Sequence, residues 1–349
     1  MLGIGIIGCG RITQYRHAPE YLENKSVKLL GFVDTVMSQA DLMADKFGGK
    51  NYESISNMLN DPAIDAVSVC VANPFHAQVT LEALDAGKHV LLEKPMATTF
   101  EDCLAIVKQA KRTGKTVMLG HNQRFAPAHV KAKEMIAQEI IGRPLGFRVT
   151  FGHEGPEVWT LNSDSWFIHK NRAGFGVLGD LGIHKIDLIH YLLGEPIIEV
   201  SAKLTTLDKR YKDGSLIDLE DNAACLLTTR SGVMGTMHVS WTFNAGEDNS
   251  TRIYGTKGVL RLYDDPLYSL IFETKEGAVE KMQLDGLSSN EDQKTGLHSN
   301  TGVINAFVDS ILKGVQPDID AQEALKAMRV IFTAIESDKN GKRMEVHQD

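Results

Sequence analysis

Two stretches of the chain carry side chains that could do chemistry together. Lys94 lies in a Glu-Lys-Pro sequence at the end of a predicted strand, where a proline prevents further ladder hydrogen bonds. Ligands bind at the carboxyl ends of parallel strands, so this lysine would point into a crevice. Asp180, His184 and Asp187 are spaced i, i+4 and i+7, which places them on one helix face. An acid–histidine face of this kind suggests general acid–base chemistry.

The element that must position the histidine is a helix predicted over Leu178–Leu193. Most of its other positions are apolar, which indicates burial, so its polar face must be hydrogen bonded or line a cavity. Three interpretations remain open for His184: a general base oriented by Asp180, a hydrogen-bonded core histidine, or a metal ligand. No HExxH or comparable ligand set accompanies it, so we expect no metal.

The other element is a glycine-rich turn near the N-terminus. Gly8 and Gly10 follow a predicted strand in the frame G-x-G-x-x-G/A, with Thr13 at the third position. Gly8 would allow a tight turn, and Gly10 would let the backbone approach a pyrophosphate at the helix N-terminus. Asp34 ends the next strand at the spacing expected for a ribose-binding acid.

Asp34 also predicts which dinucleotide binds. Its carboxylate would accept hydrogen bonds from both ribose hydroxyls and would repel a 2′-phosphate. The following residues, Thr35-Val36-Met37, supply no cation for a phosphate. We therefore expect NAD in preference to NADP.

Strands and helices alternate in the first third of the chain, which predicts right-handed crossovers and a doubly wound parallel sheet. The predicted strands are Leu2–Ile7, Val27–Val33, Ala66–Val71, His89–Leu92 and Thr116–Leu119. Ala72, Asn73 and His76 follow the third of them. For His76 a helix-surface role and a cofactor-side role remain equally open.

After about residue 121 the pattern changes to longer alternating segments joined by hairpin-like turns. This indicates an α+β domain with a large, mostly antiparallel open sheet, closed by helices near Asn305–Leu312 and Ala321–Ser337. Helices on only one face would leave the other face for water or a partner. We expect a homodimer or homotetramer formed through this sheet.

Composition narrows the class of protein. The chain has 349 residues, a net charge of -8, and is 43% hydrophobic and 23% charged. The acidic balance argues against nucleic-acid binding, and no apolar run is long enough to span a membrane. Four scattered cysteines without a CxxC pair fit reduced thiols, and we expect a cytoplasmic protein.

Taken in order, these motifs resemble the glucose–fructose oxidoreductase/inositol dehydrogenase (Gfo/Idh/MocA) family over nearly the whole chain. The combination of E-K-P at 93–95 with G-x-G-x-L-x-D-x-G-x-H-x-x-D at 174–187 is more specific than the glycine turn. Further matches are N-x-x-H at 73–76 and N-x-R-F at 122–125.

The resemblance implies an N-terminal NAD(P)-binding Rossmann domain (1–121) and a C-terminal substrate-binding and oligomerisation domain (122–349). It also implies an NAD-dependent oxidoreductase that moves hydride between nicotinamide C4 and a secondary alcohol of a sugar, inositol or related polyol. The catalytic residues it implies are Lys94, Asp180 and His184. Lys94 would hydrogen-bond the alcohol oxygen as His184 takes its proton, and the Lys94–Pro95 bond would be cis.

The remaining site residues fall into two sets. The cofactor set comprises Gly8, Gly10, Arg11, Ile12, Asp34, Ala72, Asn73, His76, Glu93, Lys94 and Asn122. The substrate set comprises Lys94, Arg124, His153, Trp166, His184 and Asp187. Within the second set, Arg124, His153 and Trp166 could equally be surface-loop residues.

Two positions depart from the family pattern. Thr13 replaces a small residue, and Phe175 interrupts a run of three glycines, which would change the loop shape and the substrate fit. Two alternative functions remain: an NAD-using glycosidase of the same family and a non-catalytic dinucleotide-binding regulator. The regulator would have no need of Lys94 or His184.

Overall fold

The structure, a computed structural model, describes residues 1–284, 286–287 and 300–348. These residues form two compact units. The first contains Met1–Asn122 with residues 300–325, and the second contains the described residues of 123–287 with 326–348. Each unit is built on one β-sheet.

The sheet of the first unit is parallel throughout and includes every strand that the sequence predicts there. Its strands are β1 Leu2–Ile7, β2 Val27–Val33, β3 Lys50–Asn51, β4 Ala66–Val69, β5 His89–Leu92 and β6 Val117–Leu119. The spatial order is β3-β2-β1-β4-β5-β6, which confirms the doubly wound parallel arrangement. β3 was missed because two polar residues carry no apolar pattern.

The helices of this unit follow the strands. They are Ala18–Glu23, Met37–Phe47, Ile55–Leu59, His76–Asp85, Phe100–Thr113 and Val303–Lys313. A 3₁₀ turn, Asn73–Phe75, precedes the fourth, and a π-helical turn, Thr13–His17, precedes the first. The helix after β5 has local boundary signals: Thr99 Oγ1 accepts the Asp102 N–H at 3.1 Å, and Gly114 adopts φ +67°.

The helix Val303–Lys313 lies in the first unit, although the sequence analysis placed it in the second domain. Glu20 Oε1 accepts hydrogen bonds from the Thr301 N–H at 3.0 Å and from Thr301 Oγ1 at 2.8 Å. Asn24 Nδ2 donates to Asn305 Oδ1 at 2.7 Å. These contacts join residues about 280 positions apart, which no local pattern reveals. The predicted boundary between 121 and 122 stays a prediction.

The second unit contains a nine-stranded mixed sheet. Its strands are β7 Pro144–Gly152, β8 Ile197–Thr205, β9 Asn222–Thr229, β10 Met234–Ser240, β11 Thr251–Gly255, β12 Gly258–Leu262, β13 Leu270–Thr274, β14 Val279–Met282 and β15 Met344–Glu345. The order is β14-β13-β12-β11-β7-β10-β9-β8-β15. The pair β7–β10 is parallel and the other pairs are antiparallel, which confirms a mostly antiparallel sheet.

The helices of this unit are Pro127–Ala137, Pro156–Trp159, Lys170–Ala173, Ile183–Leu193 and Ala321–Asn340, the last of which begins at the end of the first unit. Pro127–Ala137 packs against β12, and Ile183–Leu193 packs against β7. The strand β9 shows the two faces clearly, because Cys225 and Leu227 are buried whereas Ala224 and Leu226 are exposed. Within the described residues of this unit, the face that carries Leu226 has no covering helix.

Candidate functional site

The glycine turn after β1 has the shape that a dinucleotide needs. Gly8 adopts φ +96°, and a Cβ there would lie 2.5 Å from the carbonyl oxygen of Cys70, so only glycine fits. A Cβ on Gly10 would meet no atom within 4 Å, which leaves open space at the turn. Thr13 Oγ1 donates to the Gly8 carbonyl at 2.6 Å. Thr13, which departs from the family pattern, therefore stabilises the turn from the protein interior and leaves the outer side of the turn open.

Asp34 lies at the end of β2, directly beside this turn. Its Oδ2 accepts the Cys9 N–H at 2.7 Å, and its Oδ1 accepts the Val36 N–H at 2.8 Å. The Thr35 hydroxyl also donates to Oδ1 at 3.4 Å. These donors fix the carboxylate, and Oδ2 keeps a lone pair for a further donor. A fixed acceptor pair next to an open glycine turn fits the diol and pyrophosphate of NAD.

The other predicted cofactor residues lie at neighbouring strand ends of the same unit. Arg11 and Ile12 are partly exposed at the turn, and the Arg11 guanidinium lies 4.9 Å from the Tyr15 ring centre. Ala72 precedes the 3₁₀ turn after β4, and Asn73, in that turn, is 8% exposed. Asn122 follows β6 at the end of the first unit. Their contacts with a cofactor stay predictions.

Lys94 follows β5 and is partly exposed. Its peptide bond to Pro95 is cis, as the resemblance implied. The backbone N–H of Lys94 donates to Oε2 of Glu93 at 3.2 Å. The lysine therefore extends from a turn that the preceding carboxylate holds in place.

The Glu93 side chain points inward, toward the π-helical turn Thr13–His17. Its Oε1 accepts hydrogen bonds from His17 Nε2 at 2.9 Å and from Arg16 Nη1 at 3.4 Å. Burial opposes its charge, but the His17 hydrogen bond and the Arg16 cation outweigh burial and lower the pKa of Glu93 to about 2. Burial likewise opposes the charge on His17, yet Cys70 and Glu93 together raise its pKa to about 10. Glu93 and His17 thus form a buried ion pair, and the predicted cofactor contact of Glu93 stays a prediction.

His76 holds the same turn from another side. Its Nδ1 lies 2.6 Å from the Pro95 carbonyl oxygen, and its Nε2 lies 3.0 Å from the Val71 carbonyl oxygen. Burial lowers its pKa, so the ring is neutral and donates to one of the two carbonyls. Of the two roles left open by the sequence, the helix-surface one is wrong, because the side chain is buried.

The helix that carries the acid–histidine face begins with a π-helical turn. Leu178–Gly182 is π-helical and Ile183–Leu193 is α-helical, so the helix predicted over Leu178–Leu193 exists but is not regular. Asp180, His184 and Asp187 are exposed by 8%, 8% and 1%, which confirms the predicted burial.

Asp180 has a partner that the sequence did not indicate. Trp241 Nε1 donates to Asp180 Oδ2 at 3.1 Å, and the Trp241 ring is fully buried. The His184 ring centre lies 6.0 Å from that of Phe151, in β7. The predicted orientation of His184 by Asp180 stays a prediction.

Arg124 and Asp187 were both predicted to bind substrate, and the structure joins them to each other. Arg124 Nε donates to Asp187 Oδ2 at 2.8 Å, and Nη2 donates to Oδ1 at 2.6 Å. The two side chains are 5% and 1% exposed, so this is a buried bidentate ion pair. Any substrate contact by either residue has to be made by the donors and lone pairs that this ion pair leaves over.

The remaining substrate candidates lie after β7 in the second unit, with Trp166 at the start of the 3₁₀ turn Trp166–Ile168. His153 follows β7, is 6% exposed, and accepts the Gly155 N–H at Nδ1 over 2.9 Å, so its proton is on Nε2. Trp166 is partly exposed and stacks on Phe167, with ring centres 3.9 Å apart. Their contacts with substrate stay predictions.

Phe175, the second departure from the family pattern, is directed into the protein. Its ring packs edge-on against Phe332, with ring centres 5.6 Å apart, and is 6% exposed. A Cβ on Gly179 would lie 2.3 Å from the Phe175 Cβ, so this phenylalanine requires a glycine one turn later. The substitution therefore alters the packing beneath the π-turn.

Two further ionisable residues, one partly buried and one fully buried, support this helix. Glu220 Oε1 accepts the N–H groups of Gly176 and Leu178 at 3.0 and 3.2 Å, and burial raises its pKa to about 7. Lys185 Nζ donates to the Asn249 carbonyl at 2.9 Å, and burial lowers its pKa to about 7. A lysine within an apolar helix was a visible signal for the second of these.

Among the residues that the structure describes, no group of three or more histidine, cysteine or acidic side chains could hold a metal ion. Within the same residues, no helix has the length and hydropathy needed to cross a membrane.

Comparison with known proteins establishes the class. Residues 2–121 match the oxidoreductase family with an NAD-binding Rossmann fold, and residues 129–261 match the GFO/IDH/MocA C-terminal domain. The chain therefore belongs to the Gfo/Idh/MocA family of oxidoreductases, as the motifs indicated.

Relatives and solved structures agree with this assignment. The chain is 30% identical to 1,5-anhydro-D-fructose reductase of Ensifer adhaerens over 255 residues (72% of this chain, 73% of the relative). It is 31% identical over 271 residues (75% and 71%) to inositol 2-dehydrogenase/D-chiro-inositol 3-dehydrogenase of Halalkalibacterium halodurans. A crystal structure of an NAD binding oxidoreductase from Klebsiella pneumoniae superposes with a TM-score of 0.87 at 26% identity, covering 100% of both chains.

Proposed function

We propose that this protein is an NAD-dependent dehydrogenase or reductase that acts on a secondary alcohol of a sugar, inositol or related polyol. Its family membership supports the reaction class, and the relatives named above act on sugars and inositols. The observation that carries the proposal is the buried acid–histidine face of Asp180 and His184, in a chain that also presents a partly exposed Lys94 after β5, in the unit that contains the glycine turn.

The proposed roles follow from the chemistry of each group. His184 accepts the hydroxyl proton, and Asp180, itself held by Trp241, orients the imidazole and stabilises its protonated form. Lys94 hydrogen-bonds the same oxygen and stabilises its negative charge. A bound nicotinamide would accept the hydride, so the protein contributes the positions of the reacting groups and the electrostatic field around them.

Turnover with a panel of inositols, aldoses and glycosides, followed by the absorbance of NADH, tests the reaction. We expect net NADH formation with at least one polyol and a loss of about 10²-fold or more in kcat for Lys94→Ala, with NADH affinity nearly unchanged. Unchanged turnover in Lys94→Ala would refute the role of the lysine. Release of a sugar without net NADH would favour the glycosidase alternative, and NADH binding without turnover would favour the regulator.

We propose NAD in preference to NADP as the cofactor. The Asp34 carboxylate, fixed by two backbone N–H groups, would face a 2′-phosphate with like charge, and the exposed residues Thr35, Val36 and Met37 offer no cation. Competitive titration should give tighter binding of NADH than NADPH. Asp34→Ala should narrow that difference, and tighter binding of NADPH by the unmodified protein would contradict the proposal.

We also propose a homodimer or homotetramer that buries the uncovered face of the nine-stranded sheet. A shallow cavity of about 650 Å³ on this face is lined by outward residues of β7 to β10, including Arg148, Leu226 and Thr236. Leu226 is 45% and Met234 is 55% exposed there. Sedimentation should show an oligomer that Leu226→Glu dissociates, whereas a monomeric unmodified protein would exclude it.

A cytoplasmic location is the last proposal, and it rests on four cysteines that are all free and buried. Fractionation of the native host should recover the protein with cytoplasmic markers. Recovery in a secreted fraction would overturn it.

A further inference from the structure

The turn that carries Lys94 is held from the interior of the first unit by a chain of buried polar groups. His17 Nε2 donates to Glu93 Oε1 at 2.9 Å, and Glu93 Oε2 accepts the backbone N–H of Lys94 at 3.2 Å. His17 Nδ1 lies 3.1 Å from Ser68 Oγ, which in turn lies 2.8 Å from the Tyr21 hydroxyl. His17 and Ser68 are fully buried and Glu93 is 6% exposed, so water does not compete for these bonds.

The groups around His17 favour its charged form. Glu93 and Cys70 face the ring and raise its pKa, Arg16 and Lys94 act on the same carboxylate, and Ser68 is a neutral acceptor. A doubly protonated imidazole donates to Ser68 and to Glu93 at once, which fixes its orientation at both ends.

The π-helical turn Thr13–His17, which carries His17, is hydrogen bonded to the glycine turn. Gln14 donates to the Gly10 carbonyl through its backbone N–H and to the Cys9 carbonyl through Nε2, each at 3.2 Å. His17 closes the π-turn that begins at Thr13. A π-turn holds one residue more than an α-turn, so an α-turn over these residues would rotate the side chains beyond it by about 100°. The π-turn therefore sets which residue meets Glu93.

We propose that His17 is a positioning residue for Lys94. Through Glu93 it fixes the backbone from which the lysine extends, and through the π-turn it ties that backbone to the glycine turn. Without the imidazolium, the buried Glu93 carboxylate would lose its closest donor and would change rotamer or take up a proton. The Lys94 backbone would then lose a fixed acceptor. Displacement of a catalytic group by about 1 Å is enough to cost about 10²-fold in rate.

Two variants at equally buried residues test this inference by enzyme kinetics. This kinetic test rests on the proposed function. His17→Gln removes the charge beside Glu93, and Tyr21→Phe is the control, because it breaks the far end of the same chain without touching Glu93. We expect His17→Gln to lower kcat about 10–100-fold while KM and NADH affinity change less than about threefold. Tyr21→Phe should stay within about twofold. An unchanged kcat in His17→Gln, or equal losses in both variants, would overturn the inference.

A second readout needs no turnover. The rate at which an amine-reactive reagent labels Lys94 at one fixed pH, measured by mass spectrometry, reports how the lysine side chain is presented. We expect this rate to change in His17→Gln and in Glu93→Gln but not in Tyr21→Phe. Identical rates in all four proteins would overturn the inference. Changed rates in a protein without polyol turnover would reject the proposed function and keep the positioning role. If His17→Gln does not fold, Glu93→Gln measured in both assays tests the positioning role instead.

Discussion

Each unit places a buried ion pair next to a proposed catalytic residue, but the two pairs use different cations. In the first unit, Glu93 pairs with His17 and adjoins Lys94. In the second, Asp187 pairs with Arg124 and lies three residues after His184. Histidine holds its charge only because the buried carboxylate and thiol support it, whereas arginine is charged at any working pH.

The difference has consequences for what each pair can do. Arg124 clamps both oxygens of Asp187, so that pair fixes geometry and does not respond to pH. His17 contacts one oxygen of Glu93 and leaves the other for the Lys94 backbone. The Glu93–His17 pair therefore links two elements and loses a charge only at the extremes of pH. The Asp187–Arg124 pair stays charged and holds the helix that carries His184 in a fixed position.

Removing the arginine should produce the largest effect. Arg124→Met leaves the Asp187 carboxylate buried without its cation, and we expect the free energy of unfolding of the second unit to fall by about 3–5 kcal/mol. All three tryptophans, Trp159, Trp166 and Trp241, belong to this unit, so urea unfolding followed by tryptophan fluorescence reports it selectively. Arg143→Met, at an exposed arginine, is the matched control and should change it by less than about 0.5 kcal/mol. Equal effects in both variants would contradict this assignment.

The pH dependence of the unfolding free energy should also distinguish the two ion pairs, with a smaller effect than that of Arg124→Met. The pKa of His17 is raised, so its contribution to stability is complete below about pH 6.5 and is lost as pH rises through about 10. The pKa of Glu93 is lowered, so its contribution is present above about pH 4.3 and is lost as pH falls through about 2. The destabilisation caused by His17→Gln should therefore shrink by on the order of 1–3 kcal/mol between pH 6.5 and 10.

Hydrogen exchange in β4 and β5 measures this change, because the first unit contains no tryptophan. The destabilisation by Arg124→Met, read from tryptophan fluorescence, should stay constant over the same range. A His17→Gln effect that does not vary with pH would show that the imidazole is neutral in the folded chain.

Sequence reasoning predicted the elements far better than the contacts between them. The strands Leu2–Ile7, Val27–Val33 and His89–Leu92 have the bounds that their apolar runs indicated. A buried parallel strand is apolar on both faces, and this pattern is local. The partnership of His17 with Glu93 spans 76 positions and leaves no trace in either local pattern.

The π-turns were invisible for a related reason. The segment Leu178–Leu193 is apolar around most of its circumference, so one additional residue in a turn shifts no hydrophobic stripe. Spacing correctly predicted that Asp180, His184 and Asp187 are buried, but it could not distinguish a substrate contact from an ion pair. Arg124 and Asp187 show this most clearly, because both were assigned to substrate and each contacts the other.

The smallest effect on stability should come from Arg124→Lys, which gives Asp187 a cation that can titrate, as His17 does beside Glu93. Arg124→Lys keeps the charge beside Asp187 but offers one compact donor in place of a planar fork, so at pH 7 we expect a loss of about 1–2 kcal/mol in the unfolding free energy of the second unit. A buried ammonium group can release its proton, so this variant should also acquire an alkaline limb that the Arg124 protein lacks. Urea unfolding monitored by tryptophan fluorescence at pH 7 and pH 10 measures both effects. If Arg124→Lys is as damaging as Arg124→Met, the fork geometry outweighs the charge. If it causes no loss, the charge alone suffices, and the contrast between the two pairs reduces to their titration.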